Sequence, residues 1–278
     1  MPVRLFLDSS ALLNLLRLRE ERFDKEYDQF VKFIKTKKIN VYTPLSVMSE
    51  CDDYIKNLRT LTEKTLRELR FHVARQTLPY RYLKPQMFLV LEKFFIDKIN
   101  ATEQREARNQ LGIIQQYVLD SFIKALDERI RVSDFLSKTL DEICSEAREI
   151  QDRYDDILSE YPPQPVEIIP EIEEIISNKL KLRSKDVQHL AGLCHYIFKE
   201  NIWCIFVTTD FAHLLNLSTF NICWVRCVRP RYVPTYIKIY KKVYEKRPIE
   251  YIRSSHVIPP KEQKEILKII EKNIGIIL

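Results

Sequence analysis

The same order of signals occurs near the start of the chain and again past residue 180. A short apolar run ends in polar residues, and apolar positions at helical spacing adjoin it. Residues 4–7 read as a buried strand closed by Asp8-Ser9-Ser10, and residues 11–19 as the helix that follows. A second helix is expected over 24–37, with Phe30, Phe33 and Ile34 on one face. Residues 39–42 read as a second strand. Thr43 then fits an N-cap and Pro44 the first helical position of a further helix. In the later stretch Ser184 can cap a helix to about residue 200, and 203–207 form a strand ended by Thr208-Thr209-Asp210. Residues 211–215 read as a short helix and 222–225 as a fourth strand. Parallel neighbours need a crossover, so this alternation predicts an α/β fold: a parallel sheet covered by helices in three α/β/α layers. The two parts read as one domain divided in sequence.

What divides them is far longer than a crossover needs. Between Glu50 and Asp186 the pattern is mostly helical. Asn100 and Glu103 resemble a capping box, and Leu111, Ile114, Val118, Phe122 and Ala125 follow at helical spacing. Leu136, Leu140, Ile143, Ala147, Ile150, Tyr154 and Ile157 are separated by alternate steps of four and three, the seam of a coiled coil. An antiparallel pair of long helices is expected, or a seam shared with a second copy in a homodimer. Pro162, Pro163, Pro165 and Pro170 end this arm. After residue 228, Tyr232, Tyr236, Tyr240 and Tyr244 recur every fourth residue, as on a helix face. The segment is also rich in β-formers, so a strand stays open. A last helix follows Pro259-Pro260. The expected division is an α/β domain from 1–57 and 180–228, a helical insertion over 58–179, and a basic extension over 229–278.

Composition removes several function classes. The only glycines are Gly112, Gly192 and Gly275, too few for a phosphate-cradling loop. No apolar run approaches the roughly 18 residues of a membrane span. The apolar start is broken by Asp8 and Asn14, unlike a signal peptide, so a soluble, cytoplasmic protein is expected. Cys51, Cys144, Cys194, Cys204, Cys223 and Cys227 form no CxxC pair and read as free thiols in a reducing compartment. Cys223 and Cys227 lack the partner pair a zinc site needs. The net charge of +6 is a mild bias. Its placement says more, because Arg229, Arg231, Lys238, Lys241, Lys242, Lys246 and Arg247 face a single acid, Glu245, within one stretch. With the tyrosines between them, Arg229, Arg231, Lys238, Lys241 and Lys242 suit RNA phosphates and stacked bases, or else a packed amphipathic element.

Four acids fall where strands hand the chain to helices. Asp8 and Asp210 end strands, Glu50 lies about two turns into a helix, and Asp186 is in the first turn of another. In an open parallel sheet the carboxyl ends of the strands border one crevice. Two unit charges about 4 Å apart repel by roughly 4 kcal/mol at an effective dielectric of 20, so converging carboxylates require protonation or a cation. An all-oxygen set suits Mg²⁺ or Mn²⁺. His189, His195 and His213 read as packing residues on the adjoining helices.

The runs Phe6-Leu7-Asp8-Ser9-Ser10-Ala11-Leu12-Leu13, Thr43-Pro44-Leu45-Ser46-Val47-Met48-Ser49-Glu50, Lys185-Asp186-Val187-Gln188-His189-Leu190-Ala191 and Val207-Thr208-Thr209-Asp210-Phe211 occur in that order. Together they resemble the PIN-domain ribonucleases. The resemblance implies a PIN-like metal-dependent endoribonuclease with Asp8, Glu50, Asp186 and Asp210 as metal ligands or their close support. It implies that Ser9 and Thr208 orient them. The rival expectation is a non-catalytic PIN-fold module that binds RNA or a protein.

Overall fold

The structure, a computed structural model, describes residues 3–18, 23–77, 80–210, 214–215, 217–243, 245–255 and 259–278. Residue 19, most of the helix expected over 211–215, Phe211, His213 and Tyr244 lie outside them. The chain divides into two compact units, Met1–Cys51 with Asp156–Leu278, and Asp52–Asp155. The dividing points differ from the expected 57/58 and 179/180.

The first unit is built on a five-stranded, all-parallel sheet. Its strands are β1 (Val3–Leu7), β2 (Val41–Pro44), β3 (Pro163–Gln164), β4 (Trp203–Val207) and β5 (Arg226–Val228), in the order β3-β2-β1-β4-β5. Val3 to Leu7 pair residue by residue with Trp203 to Val207. Successive side chains point to opposite faces of a strand. Leu5, Phe6, Leu7 and all of β4 are buried, so both faces of the central strands are covered, and a continuous apolar run is what such strands require.

The helices of this unit are α1 (Ser9–Leu15) and α2 (Asp24–Lys37), then α8 (Pro170–Lys179), α9 (Ser184–Lys199) and α10 (Leu217–Cys223). After a 3₁₀ turn at Pro230–Tyr232 come α11 (Val233–Val243), α12 (Pro248–Ser254) and α13 (Lys261–Ile274). The residues expected as a separate C-terminal extension pack here. Trp203 meets Tyr240 at 5.9 Å and Tyr251 at 5.5 Å, and its indole N–H donates to Lys246 O at 2.9 Å.

Three local expectations change for identifiable reasons. Thr43 is not an N-cap: its hydroxyl donates to Tyr161 O and its N–H to Pro162 O, which draws β2 on to Pro44 and delays the helix to Leu45. The same contacts make β3 an edge strand inside the proline-rich stretch, where the missing N–H groups of proline are tolerated. Residues 222–225 are not a strand. The α10 helix runs to Cys223, Trp224 turns left-handed at φ 56°, and β5 begins only at Arg226.

The helices α3 (Leu45–Thr77) and α7 (Leu140–Glu160) carry the chain across the dividing points. Between them lie α4 (Gln86–Asn100), α5 (Arg105–Asp127), α6 (Val132–Asp134) and a π-helical turn, Phe135–Thr139. This is a helical bundle rather than a single antiparallel pair. The capping box does not form, because Asn100 is the last residue of α4 and α5 starts after Gln104. Leu140, Ile143, Ala147, Ile150 and Tyr154 of the expected seam are buried within the chain itself. Some of them border an apolar cavity of about 270 Å³ with Leu58 and Ile114. Among the described residues no helix is long and apolar enough to cross a membrane.

Candidate active site

Asp8 stands where β1 becomes α1. Its N–H continues the sheet ladder to Val207 O at 3.0 Å, and its side chain caps α1. One oxygen, Oδ2, accepts from Ser10 Oγ at 2.6 Å, Thr208 Oγ1 at 2.8 Å and Ser10 N at 3.3 Å. Thr208 lies at the end of β4, and its Oγ1 also accepts the Asp210 N–H at 3.0 Å. Thr209 N–H donates to Ser10 Oγ at 3.1 Å, and Asn14 Nδ2 donates to Ser10 O at 2.6 Å and Thr209 Oγ1 at 3.1 Å. A buried polar mesh thus pins together the carboxyl ends of two adjacent strands.

Asp186 enters from the first turn of α9. It is 8% exposed and its carboxyl is pushed up to about 6, by burial first and then by Asp8, with Asp210 adding to the shift. Arg183, just before α9, opposes it: its Nε is 3.7 Å from Asp186 Oδ2, and its Nη2 donates to Asp210 Oδ2 at 2.9 Å. Asp186 Oδ2 is buried and, among the described residues, accepts no hydrogen bond.

Glu50 is held differently. Its carboxylate can only accept, so His189 Nε2–H, 3.4 Å from Glu50 Oε2, is the donor. The other ring nitrogen, Nδ1, lies 2.9 Å from the Ser46 hydroxyl. Burial raises the Glu50 pKa, but His189, Lys185 and a hydrogen bond from Ser9 outweigh it, and the net shift is downward. The side chains acting most on Glu50 are therefore His189 and Lys185, whereas Asp8 and Asp210 act on Asp186. Among the described residues no three of His, Cys, Asp and Glu stand close enough to hold a metal ion together as placed.

Of the expected supporting residues, Thr208 binds Asp8, whereas Ser9 serves Glu50 and Ser10 takes the place beside Asp8. Ser10, Asn14, Arg183 and His189 had not been singled out as site residues. Two had a visible signal: Asn14 is one turn beyond Ser10, and His189 is one turn beyond Asp186.

The basic segment separates into two groups. Arg229 ion-pairs with Glu26 and lies over the Phe23 ring at 5.3 Å, so it is structural and largely buried. Arg231 is 3.7 Å from Glu26 and stacks on Tyr232 at 4.5 Å. Lys238, Lys241 and Lys242 are exposed on α11. Tyr240 is buried against Trp203, so the tyrosines do not form one stacking face.

Comparison with known proteins finds no matching family model, curated protein or solved structure.

Proposed function

We propose that the chain is a divalent-metal-dependent endoribonuclease whose first unit is a three-layer, PIN-like α/β/α domain. The reading rests on one observation: three aspartates far apart in sequence gather around the ends of β1 and β4, and one of them is buried with an oxygen that accepts no hydrogen bond. The donors are all oxygen and the buried carboxyl is penalised for ionising, which fits Mg²⁺ or Mn²⁺. Asp8, Asp186 and Asp210 would hold the ion, with Glu50 as nearby support. Such an ion, when bound, lowers the pKa of a water and balances charge on the phosphodiester. Ser10 and Thr208 fix Asp8 through Oδ2, and Asn14 keeps Ser10 and Thr209 in place. Lys238, Lys241 and Lys242 supply cations for the backbone of an RNA strand.

The test is cleavage of end-labelled single-stranded RNA by purified protein with Mg²⁺, Mn²⁺ or chelator. Cleavage should need the ion and disappear in Asp8→Asn and Asp210→Asn. Full activity in Asp8→Asn protein would remove the site assignment. A second reading, an RNA-binding module without catalysis, is favoured by Arg183, which already places a cation against two of the carboxylates. RNA bound tightly but never cut, in either ion, would decide for it.

A further inference from the structure

Arg183 bridges Asp186 and Asp210, at 3.7 and 2.9 Å. Its own side chain is 63% exposed, whereas those of the two aspartates are 11% and 16% exposed. An arginine side chain is always charged and keeps its head in water when it can. Here the head turns instead toward the carboxylates that most need neutralising. The pairing is incomplete, because the Asp186 oxygen that Arg183 approaches still accepts no hydrogen bond. A guanidinium is planar and directs its donors in a fixed fork, so it cannot converge on several carboxylates as a small divalent ion does. The contact with Asp210 is a good hydrogen bond, whereas that with Asp186 is only an approach at ion-pair distance.

We propose that Arg183 is a displaceable internal counter-cation: it bridges Asp186 and Asp210 until a divalent ion takes them, and the released guanidinium then pairs with a phosphate of the bound strand. The inference rests on the metal-dependent reading above. Exposure makes the exchange feasible, since the side chain can swing out without disturbing the core. After displacement a cation remains beside the site, where a planar fork matches two phosphate oxygens.

Mn²⁺ binding to the intact chain by calorimetry provides the first test, on wild type, Arg183→Gln and Arg183→Lys. Without the competing cation, Arg183→Gln should bind Mn²⁺ about three- to fivefold more tightly, the range expected for a half-exposed ion pair. Arg183→Lys should stay near wild type. The second measurement is RNA affinity across a salt series in Ca²⁺. There Arg183→Gln should lower the slope of log affinity against log salt by about 0.7, one phosphate contact. Unchanged or weaker Mn²⁺ affinity in Arg183→Gln, with wild type binding the ion, overturns the displacement and leaves Arg183 a fixed partner of the carboxylates. Tighter Mn²⁺ binding with an unchanged salt slope overturns the phosphate role. Absence of Mn²⁺ binding in wild type overturns the metal-dependent reading itself, and this inference with it.

Discussion

Ser10 and Thr208 each have one hydroxyl proton, and both protons are directed at Asp8 Oδ2, at 2.6 and 2.8 Å. The 3.2 Å approach between the two hydroxyl oxygens therefore shares no proton and follows from their common acceptor. Ser10→Ala would remove a donor from Asp8 and an acceptor from the Thr209 N–H, both buried, and should destabilise the protein by about 1–3 kcal/mol in urea melts. A neutral change would mean that water replaces the hydroxyl there. Asp186 has the opposite sign. An unfolded aspartate titrates near 3.8 and folded Asp186 at about 6, so between those values the folded chain holds the extra proton. Stability should fall as pH rises through that window and remain lowered above it. Asp186→Asn removes the penalty, so the metal-free variant should exceed wild type by about 1–2 kcal/mol near neutral pH, a gap that closes toward pH 4. Melts at both pH values check this, and a variant less stable at neutral pH would show that Arg183 already compensates the charge. Sequence made the acids visible because each sits at a strand end or in a helical turn. It did not separate Ser9 from Ser10, since both follow Asp8 and only the turn into α1 decides which hydroxyl faces it.

At the scale of elements, β1 and β4 were legible because a strand buried on both faces must be a continuous apolar run. β3 was not. Its two residues include a proline, and the reason for the strand lies in Thr43, which reaches Tyr161 across 118 positions of sequence. α11 was ambiguous in composition, but Val233, Ile237 and Tyr240 are buried at helical spacing while Lys238, Lys241 and Lys242 face outward. Replacing those three lysines with alanine should flatten the salt dependence of RNA affinity by roughly 2, at about 0.7 per phosphate on a single strand. Metal-dependent cleavage at saturating RNA should persist. An unchanged slope in Ca²⁺ would assign α11 to packing alone. The seam of α7 was visible as a period, but not its partner, because a heptad pattern reads the same whether its own chain or another covers it. Leu140 is fully buried, so Leu140→Asp places a charge among apolar groups and should cost at least about 3 kcal/mol. The loss should not vary with protein concentration. A concentration-dependent loss would restore the seam to a dimer.

Across the whole molecule, the candidate ligands come from both sides of the helical unit in sequence. Asp8 belongs to Met1–Cys51, and Asp186 and Asp210 belong to Asp156–Leu278, while Asp52–Asp155 forms the other compact unit. An ion held by all three aspartates would tie together segments that separate when the first unit opens. It would bind the folded form of that unit and not its unfolded form, adding about 2.7 kcal/mol at a concentration of 100 times its Kd. Stability is distributed in cooperative units, so the gain should appear wherever exchange requires the first unit to open. With Mn²⁺ at that concentration, amides of β1 and β4 should exchange about a hundredfold more slowly. Amides of α4 and α5, which contain none of the three aspartates, should be unchanged. Asp8→Asn should abolish most of the gain in both strands, including the whole of β4, which meets Asp8 only at its Val207 end. Protection confined to residues near 208–210 would show that the ion binds one segment only. An equal gain in α4 and α5 would mean that the two compact units open as one.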